Sequence, residues 1–207
     1  MCPGGRLTDH GCMSGQPGLR RREVRDRAVW DPDDGPITPS NRADLSALAR
    51  LLNVLLSSVI VSSLQYEHHA LLVRGLSAQP VADYLFTCAD DDRAEARALA
   101  ARIRDLGFAA DHDPRHLAGR SRISFQSFAA GDLTGIVAQN LVAARILVQT
   151  LQEAVRWVGD ADPTTRRLLE RLLEAKEAQA CVLAAETAPD RPAEQITGDQ
   201  EVTRGHP

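Results

Sequence analysis

The sequence lacks an excess of charge of one sign. Its 24 basic residues are scattered among 28 acidic ones, and the formal net charge of the 207-residue chain is only −4. Proteins that bind nucleic acid or anionic membranes carry a concentrated basic surface. We therefore expect no nucleic acid and no membrane among its partners.

Cysteine is scarce, and its spacing fits no metal site. Cys2, Cys12, Cys88 and Cys181 contain no C-x-x-C pair and are too sparse for the disulfide framework of a secreted protein. Residues 1–39 also lack the apolar segment of a signal peptide or membrane anchor. We expect reduced thiols in a cytoplasmic protein.

Long apolar runs and strand patterns are missing as well. The longest apolar run, residues 51–64, is interrupted by Asn53 and two serine pairs and is shorter than the ~20 residues of a membrane span. The few β-branched residues follow a period of 3.6 rather than strict alternation. The sequence therefore predicts an all-α fold in which residues 51–64 belong to a buried helix.

Two segments without apolar periodicity flank the predicted domain. Residues 1–39 and 187–207 are rich in Pro, Gly, Asp, Glu, Thr and Arg, so we expect two disordered tails around one folded domain at residues 40–186. Four helical patterns fill this domain. The first runs from the cap Ser40-Asn41 to Gly75, the second from Ser77 to Gly107, the third from Asp132 to Val158, and the fourth from the cap Asp162 to Glu186.

The lengths of the links between these helices predict the topology. The first and last links span only a few residues, so each must join an antiparallel helix pair. The middle link, residues 108–131, can run along the whole bundle, because a helix of ~27 residues is ~40 Å long and an extended chain covers that distance in about a dozen residues. The third helix should therefore run parallel to the second, in a four-helix bundle with one long crossover.

Apolar stripes identify the buried helix faces. The stripe of the third helix consists of Val137, Leu141, Ala144, Val148, Leu151, Val155 and Val158. The stripe of the first consists of Leu48, Leu52, Leu55, Val59, Ser62, Tyr66 and His69, and its apolar surface is widened by Leu51, Leu56, Ile60, Leu64 and Leu71. A helix that is apolar on more than one side needs a second burial partner, so we expect a homo-oligomer.

Polar residues interrupt the stripes of the other two helices. Asp92 and Glu95, three residues apart, interrupt the stripe of the second helix, and Lys176 and Gln179 interrupt that of the fourth with the same spacing. Burial of such groups without partners would cost several kcal/mol each. These side chains should therefore meet one another, a metal ion or water.

Two segments of the chain resemble a known family. The segment LLNVLLSSVIVSSLQYEHHALLVRG resembles the first helix of bacterioferritins and the related Dps-like proteins, and AEARALAARIRDLG resembles their second. The resemblance covers residues 45–186 and implies a ferritin-like four-helix bundle. In this family the first and third helices each supply one Glu, and the second and fourth each supply Glu-x-x-His, which together hold a di-iron ferroxidase centre.

Most ligand positions of that centre are altered in this chain. Carried over one position at a time, the six ligands fall on Val59, Asp92, Glu95, Ala144, Lys176 and Gln179. The two aliphatic side chains cannot bind a metal, and the fourth helix offers a cation and an amide. The resemblance therefore implies Asp92 and Glu95 as residual, weak iron ligands, with no catalytic residue and no bound cofactor.

Other sites of the family are altered too. The axial methionine of haem-binding bacterioferritins falls on Arg93, which cannot ligate haem iron. The first histidine of the Dps-type interfacial site falls on Ala70, and the acids of that site fall on Arg97 and Ala101. One alternative stays open, since a slip of one turn along the first helix would bring Glu67 toward the di-iron position.

Lys176 is the only lysine of the chain. If it points inward, its ammonium replaces the metal ions as the counter-charge of Asp92 and Glu95. If the fourth helix is rotated, Lys176 reaches solvent instead.

Two functions stay open at this point. One is iron storage or oxidative-stress homeostasis by a ferritin-like protein that lacks its own ferroxidase activity, in a homo-oligomer or in assemblies with active ferritin-like subunits. The other is a non-catalytic scaffold or interaction protein built on the same bundle, because a fold identifies a family more securely than it identifies an activity.

Overall fold

The computed structural model describes residues 21–29 and 35–187, and these residues form six α-helices without a strand. The helices are α1 (Arg21–Ala28), α2 (Leu45–Leu72), α3 (Gln79–Asp105), α4 (Pro114–Arg120), α5 (Leu133–Val158) and α6 (Pro163–Thr187). A single 3-10 turn, Leu76–Ala78, precedes α3. The all-α prediction is confirmed, and the four predicted helices correspond to α2, α3, α5 and α6.

The helix ends follow from local capping. The Asp132 and Asp162 carboxylates accept hydrogen bonds from Gly135 N at 3.0 Å and Thr165 N at 3.1 Å, so α5 and α6 begin where the sequence predicts. The predicted start of α2 at Ser40-Asn41 is wrong. Asp44 is the cap, because its side chain accepts a hydrogen bond from Ala47 N.

Two backbone hydrogen bonds define the helix directions. Gly131 N, just before α5, donates to Leu72 O at the end of α2 over 2.9 Å. Arg42 N, just before α2, donates to Ala161 O in the link between α5 and α6 over 3.1 Å. Helix α5 therefore begins near the start of α3 and runs parallel to it, which confirms the long crossover of a ferritin-like bundle.

The polar residues that interrupt the apolar run of α2 hold this crossover. Asn53 Oδ1 accepts a hydrogen bond from Asp111 N at 2.8 Å, and Ser58 Oγ accepts one from Arg122 N at 2.9 Å. One helical turn beyond Ser62, Gln65 Oε1 accepts from Gln126 N at 2.9 Å. These three part-buried hydrogen bonds join α2 to successive points of the crossover and so fix its path.

Helices α2 and α5 are long and apolar enough to cross a membrane by length and composition alone, with a mean hydropathy of 1.8 and 1.2 in their most apolar windows. Helix α2 is long enough to span a membrane because it extends well beyond the interrupted apolar run at residues 51–64. In this structure both helices are part of the bundle, and 56% of the α2 window is buried within it.

The core has two apolar parts. One part is built around Leu52, Leu99, Leu151 and Leu172, and the other around residues such as Tyr66, Leu85, Ile136 and Leu183. The predicted stripes of α2, α3 and α6 are buried. Asp92 on α3 and Lys176 on α6 each lie between the residues of the two apolar parts. A polar layer therefore separates the two parts of the core.

The predicted stripe of α5 needs a correction. Leu141, Val148 and Val155 are only half-buried, whereas other residues of α5 take their place in the core, namely Ile136, Asn140, Ala143, Leu147 and Ala154. The buried face is therefore rotated from the predicted one, and it includes the amide of Asn140, which contacts Gln65 and His69 of α2.

Most of both predicted disordered tails lies outside the described residues. All of α1 is exposed, whereas Ile37 packs against the core formed by the bundle. The α6 helix ends at Thr187. Disorder of the tails stays a prediction.

Candidate functional site

Four polar side chains meet in the layer between α3 and α6. The i, i+3 spacing places Asp92 and Glu95 on one face of α3, and Lys176 and Gln179 on the facing side of α6. Lys176 Nζ donates hydrogen bonds to Asp92 Oδ1 and, over 3.1 Å, to Gln179 Oε1. Lys176 and Asp92 are 0% exposed. The prediction that Lys176 points inward to the two acids is confirmed.

Glu95 completes this cluster from the next turn of α3. Its Oε2 atom lies 2.7 Å from Lys176 Nζ as an ion pair, although the direction of this contact does not meet the geometry of a hydrogen bond. The Glu95 side chain is 12% exposed, so it lies closer to solvent than the other two charges. One ammonium therefore serves two carboxylates.

The protonation of these groups reflects their burial. Desolvation raises the pKa of Asp92, and the charge and hydrogen bond of Lys176 only partly oppose it. Desolvation likewise raises the pKa of Glu95 to about 7, with a further rise from the charge of Asp92. Burial alone would lower the pKa of Lys176, but the two carboxylates outweigh it and raise that pKa. Burial therefore makes both carboxyl groups harder to ionise than exposed ones, while their contacts with Lys176 retain its ammonium.

The walls of the cluster carry further polar atoms. Ser62 and Tyr66 approach from α2, and the hydroxyl of Ser62 lowers the pKa of Asp92. Three atoms here, Ser62 Oγ, Tyr66 Oη and Asp92 Oδ2, have no hydrogen-bond partner among the described residues. Burial and then the charge of Asp92 raise the pKa of Tyr66. Burial raises the pKa of Cys88, one turn before Asp92, to about 11. The phenol and the thiol are therefore neutral, and among the residues that the structure describes Lys176 is the one cation of the layer.

The residues present do not fit a di-metal centre. Val59 and Ala144 are 0% exposed and aliphatic, so α2 and α5 offer no ligand at the positions where the resemblance predicts the family's single glutamates. Lys176 contacts both remaining carboxylates. Within residues 21–29 and 35–187, no group of three or more His, Cys, Asp or Glu side chains is arranged to hold a metal ion. Asp92 and Glu95 as weak residual iron ligands stay a prediction.

Glu67 does not reach this layer. Its carboxylate pairs with Arg93, which also binds Asp90 at 2.8 Å, and the side chains of Glu67 and Arg93 are 41% and 37% exposed. The alternative alignment that brings Glu67 to the di-iron position is therefore wrong. Arg93, at the position of the haem methionine, lies on the outer side of α3 in this pair.

A second buried polar cluster surrounds His69. Its Nδ1 atom lies 3.1 Å from Asn140 Oδ1 on α5, and its Nε2 atom lies 2.9 Å from Gln126 O on the crossover. Gln65 Nε2 contacts Asn140 Oδ1 at 3.4 Å, and desolvation lowers the pKa of His69. Sequence reasoning placed His69 on the buried stripe but missed this cluster. Asn140 was the available signal, as an amide within an apolar helix.

A third polar contact joins α3 to the start of α6. Arg102 donates to Asp162 Oδ2 at 2.6 Å and to Thr165 Oγ1 at 2.8 Å, and all three side chains are buried. Desolvation opposes the charge of Asp162, but hydrogen bonds from Thr165 and Arg102 outweigh it and lower the pKa of Asp162. This contact is structural, since Asp162 is also the cap of α6.

The two acidic residues of the crossover, Asp111 and Asp113, pair with its arginines, and Asp111 also contacts His116. Asp111 accepts contacts from Arg120 and, at 2.9 Å, from His116 Nδ1. The hydrogen bond from Arg120, with those of the Asp113 amide and His116, holds the pKa of Asp111 well below its ordinary value. Arg115 forms an ion pair with Asp113, with 2.5 Å between Nη2 and Oδ2. Arginines therefore already neutralise the acids of this segment.

The chain belongs to the ferritin-like family, because the family model described as a Ferritin-like domain matches residues 49–186, more than half of the sequence. A comparison with curated proteins finds no match.

Solved structures agree with this assignment. A dodecameric thioferritin, the bacterioferritin-related protein of Bacteroides fragilis, is 26% identical with a TM-score of 0.67, over 70% of this chain and 86% of that one. DpsA14 of Streptomyces coelicolor is 23% identical with a TM-score of 0.67, over 70% and 87% of the two chains. Mycobacterium smegmatis Dps is 18% identical with a TM-score of 0.67, over 70% and 88%.

Proposed function

We propose that this protein is an oligomeric ferritin-like protein of iron storage or oxidative-stress homeostasis whose subunits lack a ferroxidase centre of their own. The observation that carries the proposal is the contact of Lys176 with both Asp92 and Glu95. A buried ammonium in contact with both carboxylates repels a ferrous ion and takes the oxygen atoms that would bind it. Iron would therefore be bound only weakly at this position.

Membership of the ferritin-like family supports the general role, and the ligand set limits the mechanism. Ferroxidase chemistry needs carboxylates and imidazoles that hold two cations with open positions for an oxidant. Here Val59 and Ala144 supply no oxygen atom, and no imidazole lies in the layer. Iron oxidised elsewhere, for example by active ferritin-like subunits of a mixed assembly, could still be stored in a shell to which this chain contributes.

Apolar grooves on the outer face support self-association. A groove of about 650 Å³ runs along α2 and α5 and is lined by residues that include Leu51, Val54, Ile146 and the half-exposed Trp157. A second groove, of about 480 Å³, lies between α2 and the crossover and includes Leu64 and Phe125, which are 49% and 47% exposed. Exposed apolar surface of this kind is typical of subunit interfaces, and the related protein of Bacteroides fragilis is dodecameric.

A non-catalytic scaffold is the second candidate, and the same layer favours it. Lys176 supplies the counter-charge of Asp92 and Glu95 from within the chain, so the bundle needs no metal for that purpose and its oligomer could serve as an interaction surface alone. Iron storage predicts that the assembly retains ferric iron, whereas a pure scaffold predicts that it does not.

The deciding experiment measures oxidation and retention separately. Ferrous iron is added in air to the purified assembly, ferric iron is followed by absorbance, and bound iron is then counted by elemental analysis with the mass of the assembly. We expect oxidation no faster than with an inert protein, together with retention of iron that was oxidised by added active subunits. Rapid saturable oxidation that Asp92→Ala abolishes would contradict the proposed loss of ferroxidase activity.

A further inference from the structure

The amine of Lys176 and the carboxyl group of Asp92 are positioned for a reaction as well as for an ion pair. They lie on different helices, 84 residues apart in sequence, and both side chains are 0% exposed. Lys176 Nζ is in hydrogen-bond contact with Asp92 Oδ1, so the carboxyl carbon Cγ is only one covalent bond beyond the contacted oxygen. Asp92 Oδ2 has no hydrogen-bond partner among the described residues.

A third group completes the arrangement. Glu95 Oε2 lies 2.7 Å from Lys176 Nζ, within reach of the protons of the amine. Glu95 is on the same face of α3 as Asp92, one turn later, so one carboxylate borders both reacting side chains. Because water is excluded around Lys176 and Asp92, a bond formed there is protected from hydrolysis.

We propose that Lys176 and Asp92 condense into an intramolecular isopeptide bond that joins α6 to α3, with Glu95 as the proton carrier. The bond would hold Lys176 covalently at the place where the resemblance predicts metal ions. The proposal does not depend on any role in iron storage.

The reaction needs no oxidant and no added reagent. A proton first passes from the ammonium to the Asp92 carboxylate, which leaves a neutral amine and a carboxylic acid. The nitrogen lone pair then forms a bond to Cγ, and Glu95 removes one proton from the nitrogen. Glu95 returns this proton to the hydroxyl oxygen, the carbon–oxygen bond breaks, and one water molecule leaves. Glu95 ends in its starting state, and a neutral amide replaces two buried charges.

The charges of the layer set the pace of this reaction. Glu95 Oε2 lies against the nitrogen of Lys176, so it can take a proton from the amine and pass it to the leaving oxygen. Both carboxylates contact the ammonium of Lys176, which keeps the neutral amine a minor form. We therefore expect slow maturation of the folded protein rather than immediate reaction.

The experiment is the intact mass of the denatured full-length protein, measured fresh and after one week at neutral pH. We expect a species lighter than the sequence mass by one water, about 18 Da, that accumulates with time. Tryptic digestion should then yield one branched peptide that joins residues 75–93 to residues 172–204, because trypsin does not cleave after an acylated lysine. A mass that equals the sequence mass throughout, with separate peptides, overturns the proposal.

Two variants separate this bond from other losses of water. Lys176→Arg retains a cation beside the acids but has no amine that can condense, so its mass should equal its sequence mass. Glu95→Gln retains both reacting groups and removes the proton carrier, so its conversion should be at least tenfold slower. Loss of water from Lys176→Arg would overturn the proposal, since the reaction would then lie elsewhere in the chain.

Discussion

Lys176 on α6 binds Asp92 on α3 in a layer where both side chains are completely buried. The resemblance to bacterioferritins predicts metal ligands at both positions, whereas here a side chain of the protein supplies the positive charge. Since a buried carboxylate without a counter-charge is strongly destabilising, the two residues depend on each other.

Replacing Lys176 by methionine should destabilise the bundle by about 3 kcal/mol, because the change leaves Asp92 and Glu95 buried without a cation. The measurement is thermal or urea unfolding of the purified variant. Arg166→Met is a matched control, since Arg166 forms two ion pairs at the surface of the same helix. Surface pairs contribute about 0–1 kcal/mol, so the control should change little.

The triple change of Lys176, Asp92 and Glu95 to apolar residues tests the cause. It removes the stranded charges, so it should regain much of the lost stability. If Lys176→Met is neutral, both alone and combined with Asp92→Asn and Glu95→Gln, then the lysine does not compensate these charges.

The stability of the protein should fall as the pH rises from acid to neutral because of Glu95. Folding raises the pKa of this carboxyl from 4.5 to about 7, so between these values the folded protein retains a proton that the unfolded chain releases. The contribution is fully present below pH 4.5 and is lost by about pH 7. Because one pKa unit corresponds to about 1.4 kcal/mol, the loss is at most about 3.5 kcal/mol.

Urea unfolding at several pH values measures this dependence. Glu95→Gln removes the titrating group, so it should flatten the slope between acid and neutral pH. Glu174→Gln, at an exposed position of α6, is the control and should retain the slope of the wild type. A wild-type slope of the opposite sign that Glu95→Gln removes would show that folding lowers the pKa of this group instead.

The sequence was sufficient to predict the buried layer because two different signals agree there. Periodicity places Asp92 and Lys176 on the apolar stripes of their helices, and burial of a charge then requires a partner of opposite charge. The long link between α3 and α5 predicted the topology for a similar reason, since chain length limits how helices can be connected.

The sequence did not predict which of two neighbouring faces of a helix is buried. Apolar residues surround much of α5, so periodicity alone could not show that the buried face includes Asn140, which contacts His69. The pair of Arg102 and Asp162 was missed because its members are 60 residues apart and each also fits a helix end. Long-range polar pairs of this kind leave no periodic pattern.

Replacing His69 by alanine should loosen the crossover. The change removes the contacts to Asn140 on α5 and to the carbonyl of Gln126, and it leaves Asn140 buried with fewer partners. The loss of a buried hydrogen bond costs about 1–3 kcal/mol when its partner stays unsatisfied. Amide hydrogen exchange should therefore accelerate in residues 121–131, and first at Gln126 N, which binds Gln65 on the same helix face.

His68→Ala is the matched control for this prediction. His68 precedes His69 on α2 and is half-buried; its Nε2 atom contacts Ser127 Oγ on the crossover at 2.9 Å, and its ring packs at a tilt against the ring of Phe125, with 5.4 Å between the centroids. Its loss should affect exchange less than the loss of His69, because Ser127 is exposed and its hydroxyl can hydrogen-bond to water instead. Equal acceleration in both variants would mean that the buried contacts of His69 do not hold the crossover.

Restoring the family's ligands should restore metal binding. The variant combines Val59→Glu, Ala144→Glu, Glu95→His, Lys176→Glu and Gln179→His and keeps Asp92, which gives four carboxylates and two imidazoles in the layer between α3 and α6. Four of these positions already meet there in the native structure, and Val59 and Ala144 are fully buried on the two remaining helices. Such a set suits two divalent iron or zinc ions. Without metal the buried acids should repel one another, so the variant should be unstable as prepared with a chelator and should gain stability on addition of zinc.

Zinc is the better first probe because it does not undergo redox reactions and any stabilisation reports binding alone. Elemental analysis should find about two ions per chain, and the melting temperature should rise with zinc concentration. The same five changes with Lys176→Met in place of Lys176→Glu form the control, since one bridging carboxylate is then missing. If the full variant gains no more stability from zinc than this control does, then Lys176 does not stand at a ligand position, and the correspondence between this layer and the family's metal centre is wrong.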